Sequence, residues 1–230
     1  KILGINKSQD AQDSVTVLAQ NGIKIAVLNY TYGLNGIALP SDMPYAVNLL
    51  DEEKVKADIA SAKEQSDFVV VCPHWGTEYS LQPDSMEKKW TKIFAESGAD
   101  LVLGTHPHVI EPIERVEDET TGHQMLVYYS LGNFVNWTSS SGDGIANRMV
   151  GGMAEITVGL DEAGRGFIVD YGVNALVTQV EQGYGGVTTY FLRDYTDEMA
   201  GKNAIMEQDA NFSREYCTKL CTDIWGDLWE

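Results

Sequence analysis

The first third of the chain alternates apolar runs with a helical pattern, in the order strand, helix, strand. Residues 23–30 are rich in β-forming residues and partly alternate, which predicts a strand. Residues 51–66 carry apolar positions at helical spacing, and Asp51 is a suitable N-cap for that helix. Residues 68–71 (FVVV) then have the composition of a fully buried strand. These patterns predict a βαβ unit, with no strand or helix before residue 23.

The same pattern repeats once more along the chain. Residues 83–97 predict a helix with one apolar face, which Gly98 ends, and residues 100–104 predict another short buried strand. Strands that alternate with helices form parallel sheets, and ligands gather at the carboxyl ends of such strands. His74 and His106 both follow predicted strands, so we expect them at that edge.

After residue 110 the helical pattern gives way to short apolar segments separated by turns. The predicted strands cover residues 113–117, 125–130, 154–160, 167–177 and 187–191. Residues 211–229 place apolar side chains at four-residue steps, which predicts an amphipathic helix. The fold class is therefore α/β, with an antiparallel C-terminal extension and a terminal helix on the same body.

Composition and charge narrow the classes of partner. The chain has 230 residues and a net charge of −18, so its overall field repels nucleic acid and anionic lipid. An anionic substrate would need a local positive charge, such as a metal ion, in order to bind. Among the three cysteines, Cys217 and Cys221 share one helix face, where packing, a disulfide and a metal pair all stay open. No run approaches the roughly 20 apolar residues of a membrane span.

Three of the four histidines fall in two turns that follow neighbouring predicted strands. His74 lies in one turn, while His106 and His108 flank a proline in the other. Neutral imidazole is a common transition-metal ligand, and Glu78 is a nearby carboxylate that could orient a ligand ring, contact substrate or pair with a cation. A histidine that is merely hydrogen-bonded is the alternative for each position. The clustering favours a metal or catalytic site.

Three further residues have competing interpretations, and two more have one interpretation each. Trp75 and Tyr79 either line a substrate groove or pack beside the strand end, and Asn133 either presents its amide to the site or caps a turn. Arg148 is a candidate anion clamp. His123 lies in a segment with the composition of a solvated hairpin turn.

Three sequence blocks carry a family resemblance. They are HWGTEY at 74–79, GADLVLGTHPHVIEPIE at 98–114 and YSLGNFV at 129–135. Together they resemble the signature blocks of the bacterial capsule-synthesis CapA family, also called the poly-γ-glutamate synthesis PgsA family. That family is similar to the calcineurin-like metallophosphoesterases. The resemblance covers about residues 4 to 160, in the same order and with similar spacing.

The resemblance implies a metallophosphoesterase-like α/β/β/α sandwich with a dinuclear site for divalent ions such as Mn²⁺, Zn²⁺ or Fe²⁺. His74 matches the lone histidine of such sites, and His106 with His108 matches their histidine pair, although Thr105 is inserted before the pair. We therefore predict His74, His106 and His108 as metal ligands. His74 and Glu78 are the predicted catalytic residues, and the predicted substrate contacts are Asn133, Tyr79 and Trp75.

One part of the family pattern is missing from this sequence. Such domains draw an Asp from a Gly-Asp turn and an Asn-His pair from their first half, and the chain has no Asn-His pair. Two divalent cations need roughly eight to twelve ligand atoms, more than three imidazoles supply. We expect residues 1–160 to be a family domain that is incomplete at its N-terminus, and residues 161–230 to be a β-hairpin extension with the terminal helix. A shortened homologue with a weak site is the alternative.

The resemblance predicts a role in capsule or poly-γ-glutamate biosynthesis, as a metal-dependent hydrolase or transferase acting on the polymer or on a phosphoester. The alternative is a non-catalytic cell-surface component that binds or exports the polymer, and a third possibility leaves all three histidines without metal. The sequence leaves open whether this chain binds metal, and we expect it to be inactive alone. The implied location is the outer face of the cell envelope, secreted or anchored by a membrane segment before Lys1, with other capsule-synthesis components as partners.

Overall fold

A computed structural model describes residues 2–230 and contains two β-sheets. The strands are β1 (Thr16–Gln20), β2 (Ile23–Thr31), β3 (Phe68–His74), β4 (Leu101–Leu103), β5 (Ile113–Glu117), β6 (Gln124–Tyr128), β7 (Val150–Leu160), β8 (Gly166–Val180) and β9 (Val187–Phe191). The α-helices are α1 (Gln9–Gln12), α2 (Glu52–Gln65), α3 (Ser85–Ser97), α4 (Asp197–Ala200) and α5 (Arg214–Trp225). Short 3-10 segments cover Ile145–Met149, Gln182–Tyr184, Leu192–Asp194 and Ala204–Glu207.

The larger sheet has the strand order β1-β2-β3-β4-β6-β5. Its four central strands β2, β3, β4 and β6 run parallel, whereas β1 and β5 are antiparallel to their neighbours. The smaller sheet, β7-β8-β9, is antiparallel throughout. The predicted parallel units and the antiparallel extension are confirmed. Parallel pairing places the carboxyl ends of the four central strands along one edge.

Both faces of the larger sheet are covered. Val55 and Ile59 of α2 and Phe94 of α3 pack with Val69 and Val71 of β3 in one buried cluster. A second cluster contains alternate residues of the same strands together with apolar residues of β7, β8 and α5. Alternation along the strands sends successive side chains to opposite faces, so each cluster takes every second residue. The predicted α/β class, with its C-terminal β extension and terminal helix, is confirmed.

The structure corrects the prediction for the start of the chain. The prediction of no strand or helix before residue 23 is wrong, because both α1 and β1 precede β2. β1 pairs antiparallel with β2 through Asn21 and Gly22, which have φ angles of 52° and 82°. Asn-Gly is a favoured pair for a two-residue hairpin turn with positive φ. The strand was missed because β1 is an edge strand without an alternating apolar face.

The terminal helix is shorter than predicted. Instead of spanning 211–229, α5 begins after Ser213, whose hydroxyl accepts the amide of Tyr216 at 3.0 Å. The helix ends at Gly226, which has a positive φ of 60°. The chain then returns to the second sheet, where Trp229 forms a parallel bridge with Val173. Four-residue spacing of apolar side chains therefore overestimated the helix at both ends.

The second sheet spans the predicted boundary at residue 160. β7 ends there and pairs along its whole length with β8, so segments 1–160 and 161–230 share one sheet. Their division into domains stays a prediction. Within residues 2–230, every helix is too short or too polar to cross a membrane.

Candidate functional site

The carboxyl ends of the four parallel strands bring together side chains from four chain segments. Tyr32 follows β2, His74 ends β3, His106 and His108 follow β4, and Asn133 follows β6. Because these strands are neighbours in one sheet, residues far apart in sequence meet at this edge. The sheet topology, not sequence proximity, assembles the site.

Backbone hydrogen bonds join the two histidine-bearing turns to each other. His74 forms a parallel bridge with Thr105 beyond the end of β4, and the amide of Trp75 donates to the Thr105 carbonyl at 3.0 Å. Further out, the amide of Tyr79 donates to the Pro107 carbonyl at 2.7 Å. The turns therefore have a fixed position relative to each other that does not depend on their side chains.

Trp75 supports the site from the core side. Its side chain is 0% exposed, and its indole N–H donates to the Tyr129 carbonyl at 2.9 Å. A Cβ atom at Gly104 would lie 2.5 Å from that indole nitrogen and closer still to the Tyr129 carbonyl, so only glycine fits there. The prediction that Trp75 lines a substrate groove is wrong. Trp75 follows His74 by one residue, and alternation turns it towards the buried core under α3.

Three side chains converge as a candidate metal site. Glu78, His106 and His108 each offer one ligand atom, and these atoms all lie within 4.8 Å of one another. Two imidazole nitrogens and a carboxylate oxygen suit a divalent transition-metal ion. His106 and His108 have positive φ angles of 114° and 60°, which non-glycine residues rarely adopt. Such strain persists only where the surrounding structure enforces it, and it is concentrated at functional sites.

His74 lies beside this cluster rather than in it. Its ring centroid is 4.5 Å from that of His106, and the Tyr32 ring packs against both, at 6.0 Å from His74 and 4.8 Å from His106. Burial lowers the pKa of His74, positive charge on the other two histidines lowers it further, and Glu78 opposes the change. Burial also lowers the pKa of His106, again against the effect of Glu78. Both rings are therefore held towards the neutral, metal-binding form, while the role of His74 as a ligand or proton donor stays a prediction.

Asn133 positions His108. Its Oδ1 lies 2.9 Å from His108 Nδ1, and because an amide oxygen only accepts, this contact places the proton on Nδ1 and leaves Nε2 free. Its Nδ2 donates to the backbone carbonyls of His108 at 3.1 Å and Arg148 at 2.9 Å. The amide of Asn133 is thus occupied within the protein, and its predicted direct contact with substrate stays a prediction.

Tyr79 lies on the open side of the site, and its predicted contact with substrate stays a prediction. The residue is 45% exposed, and its ring centroid is 6.1 Å from that of His108. The guanidinium carbon of Arg148 lies 3.5 Å from the Tyr79 ring centroid. These residues border a cleft of about 300 Å³ that continues from the candidate metal site.

Two buried carboxyl groups underlie the same turns. Glu87 of α3 and Glu111 are both 0% exposed, and their carboxyl groups face each other within hydrogen-bonding reach. Without a shared proton, both oxygens of Glu111 and one of Glu87 lack a partner among the described residues. Burial first, and then Glu87, raise the pKa of Glu111 to about 9, while burial raises the pKa of Glu87. The pair therefore retains a proton at neutral pH.

Sequence reasoning missed some of these residues. Tyr32 follows β2 at the same edge as His74, so the rule about strand ends could have identified it. Glu87 occupies the third position of α3 and takes part in a capping box with Asp84, so its sequence context indicates only a helix start. No local pattern links Glu87 to Glu111.

Comparisons with known proteins agree on the first part of the chain. A family model described as bacterial capsule synthesis protein PGA_cap matches residues 1–138. The PGA biosynthesis protein CapA of Bacillus subtilis strain 168 is 38% identical over 133 residues, which cover 56% of this chain and 33% of that protein. The capsule biosynthesis protein CapA of Bacillus anthracis is 29% identical over 144 residues, covering 58% of this chain and 33% of the relative.

A solved structure also resembles the chain. The 5′-nucleotidase precursor from Thermus thermophilus superposes with a TM-score of 0.43 at 17% identity, covering 71% of this chain and 29% of that one. The matched residues span about a third of the length of each of these two curated relatives. Glu78, His106, His108 and Asn133 all lie within the residues that the family model matches, whereas Arg148 lies beyond them.

Proposed function

The chain belongs to the bacterial capsule synthesis protein PGA_cap family, and on that premise we propose that it acts in the biosynthesis of poly-γ-glutamate or a related anionic cell-envelope polymer. The proposed activity is metal-dependent hydrolysis or transfer, on the polymer or on a phosphoester. One observation carries the proposal: Glu78, His106 and His108 converge at the carboxyl edge of a parallel sheet.

The chain's own residues have distinct roles in this proposal. Glu78, His106 and His108 would hold a divalent cation, which would supply Lewis-acid polarisation of a scissile carbonyl or phosphoryl group. Asn133 keeps His108 in the tautomer that exposes Nε2. His74, exposed and beside the cluster, would exchange a proton with the reacting group.

Charge gives a second reason for a cation. The chain carries 34 acidic against 16 basic residues, so a polyanion approaching it is repelled on average. A divalent cation at the cluster would reverse the sign of the field locally. This reasoning supports a requirement for metal in both binding and turnover.

The test combines calorimetry with an activity assay, both on the purified full-length protein, because this chain alone is expected to be inactive. We expect Mn²⁺ or Zn²⁺ to bind, and the cation to be required for shortening or transfer of γ-linked glutamate chains, followed by size-exclusion chromatography. His106→Ala should remove both properties, whereas His123→Ala should keep both because His123 lies at the opposite end of the sheet. Unchanged activity in His106→Ala would refute the assignment.

A non-catalytic role is the second candidate. Among residues 2–230 the cluster offers three convergent ligand atoms, which is fewer than a two-metal hydrolytic site uses. A polymer-binding or export component would show metal-dependent binding of the polymer with no change in its length. Binding that persists in a chelator would argue against this candidate.

The cellular setting belongs to the same proposal. We further propose that the protein faces outward on the cell envelope, is anchored through a membrane segment and contacts other capsule-synthesis components; the support is that two relatives are named as PGA or capsule biosynthesis proteins. Protease accessibility of the protein in intact cells would check the location. Protection equal to that of a cytosolic marker would contradict it.

A further inference from the structure

The cleft beside the candidate metal site has an unusual charge content. Its lining includes Tyr79, His108, Asn133, Asn136, Thr138 and Arg148. Arg148 is permanently charged, and among residues 2–230 no carboxylate belongs to the lining, although the chain has 34 acidic residues. A strongly acidic protein thus has a concave surface, next to the histidines, where the fixed charge is positive.

The Arg148 guanidinium is held in place but has few polar partners. Its carbon lies 3.5 Å from the Tyr79 ring centroid, and Nη1 donates to Thr138 Oγ1 at 3.3 Å. Nε is buried and has no hydrogen-bond partner among the described residues. In the part of the chain that the structure describes, no carboxylate lies within ion-pair distance of it. A guanidinium has five N–H donors, so most of its hydrogen-bonding capacity is unused.

This arrangement suits an oxyanion. The planar fork of a guanidinium matches two oxygens of a carboxylate or phosphate, and charge-assisted bonds of this kind are among the strongest in proteins. Stacking on Tyr79 fixes the plane of the fork, so little freedom is lost when an anion binds. A partly buried cation without a counter-ion is costly unless a ligand pairs with it.

We propose that this cleft is an anion subsite, in which Arg148 binds an oxyanion group of the substrate beside the Glu78–His106–His108 cluster. The inference rests on the proposed function, because it assigns part of the same substrate. Asn133 bonds to both His108 and the Arg148 carbonyl, and so fixes the spacing of the two subsites. A γ-linked glutamate chain has a free α-carboxylate on every unit, so one unit can lie at the cluster while a neighbouring carboxylate binds Arg148.

The test measures binding of a γ-linked glutamate oligomer, with and without Mn²⁺, by calorimetry. Arg148→Gln should weaken oligomer binding at least about tenfold, the expected loss for a hydrogen-bonded charge. Arg148→Lys, which keeps the charge without the fork, should lose less. Arg165→Gln is the matched control, because Arg165 is an exposed arginine already paired with Asp161 and its loss changes the net charge equally.

A second arm separates the two sources of the oxyanion. Inorganic phosphate is titrated in the same variants, and an oligomer whose carboxylates are converted to amides replaces the glutamate chain. Loss of binding on amidation, with weak phosphate binding, identifies a carboxylate subsite. Arg148-dependent phosphate binding that displaces the oligomer identifies a phosphate subsite. Either result supports the proposal.

Two results would overturn it. The first is equal affinity of the wild type and Arg148→Gln for both anions, and the second is an equal loss in Arg165→Gln, which would show a general charge effect.

Mn²⁺ titration of Arg148→Gln separates this proposal from the proposed function, since metal binding there should match the wild type. If the wild type binds no metal but keeps Arg148-dependent anion binding, the metal-dependent function fails and the subsite stands.

Discussion

The two edges of the larger sheet both place histidine near carboxylate, but with opposite outcomes. At the carboxyl edge, His106 and His108 converge with Glu78 into a cluster of free ligand atoms. At the opposite edge, His123 Nε2 lies 2.7 Å from the Ala99 carbonyl and 3.6 Å from an Asp100 oxygen. The backbone carbonyl thus occupies the nitrogen that a metal would need. A histidine near a carboxylate is a candidate ligand only where the fold leaves its nitrogen unoccupied.

The opposite edge also corrects a sequence-based interpretation. His123 lies in the hairpin connection between β5 and β6, as predicted, but the prediction that it is solvated is wrong, because its side chain is only 28% exposed and bonds to the Ala99 carbonyl. The composition of residues 119–123 is that of a surface turn, and it indicates nothing about the neighbouring strand connection. Tertiary contact, rather than turn chemistry, decides the environment of this ring.

Replacing one histidine at each edge by alanine gives the largest expected difference in metal affinity. His108→Ala should lower Mn²⁺ affinity at least about 100-fold, because it removes one of three metal ligands. This loss should be at least as large as the loss caused by removing a residue that only orients a ligand. His123→Ala should leave that affinity within the error of calorimetry. Comparable losses in both variants would remove the distinction between the edges.

Buried carboxyl groups at the two edges should respond to pH in different ranges. Because the folded-state pKa of Glu111 is raised to about 9, the folded chain binds more protons than the unfolded chain between the ordinary glutamate pKa and pH 9. Stability therefore falls as pH rises through this range, by up to about 1.4 kcal/mol per pH unit. Glu111→Gln should flatten that decline in urea titrations from pH 6 to 9.

Asp100 is the matched control for this measurement. Burial raises its pKa to about 6, so its contribution to stability is lost on raising the pH through about 6 and is constant above neutrality. Asp100→Asn should therefore change the pH profile only in the acidic range. A Glu111→Gln profile parallel to that of the wild type above pH 7 would show that the buried pair does not hold the shared proton.

Replacing Asn133, which positions His108, should have a smaller effect on metal affinity. Asn133→Ala should lower metal affinity about tenfold, because His108 loses the acceptor that fixes its tautomer. At the other edge the equivalent acceptor is the Ala99 carbonyl, which no side-chain substitution removes. Asn136→Ala, at a residue that lines the same cleft and makes only a 3.4 Å contact with Asn133, serves as the control in calorimetry. If Asn136→Ala loses as much affinity, the positioning role of Asn133 is wrong.

The smallest expected effect concerns stability at the opposite edge. His123→Ala leaves the Ala99 carbonyl without its side-chain partner and should lower the free energy of unfolding by about 1 kcal/mol. Denaturant titration measures the change. A loss of several kcal/mol would indicate that His123 does more than complete one hydrogen bond.

Some of these features were predictable because they depend on local patterns. The apolar runs ending at His74 and before Gly104 predicted adjacent parallel strands, and the strand-end rule placed the histidines together. β1 escaped prediction because an edge strand packs on one side only and needs no apolar alternation. The Glu87–Glu111 pair and the stacking of Arg148 on Tyr79 join separate elements, and no periodicity in the sequence encodes them.

The backbone bonds between the two turns have a consequence for the order of events in metal capture. The bridge from His74 to Thr105 and the bond from Tyr79 to Pro107 order the ligand-bearing turns as the sheet folds. The conformational entropy of bringing Glu78, His106 and His108 together is therefore lost during folding and not on association with a cation. Unlike a zinc finger, whose chain is unfolded without its ion, this edge is preorganised, and a chelator should strip the cation while leaving the circular dichroism spectrum unchanged.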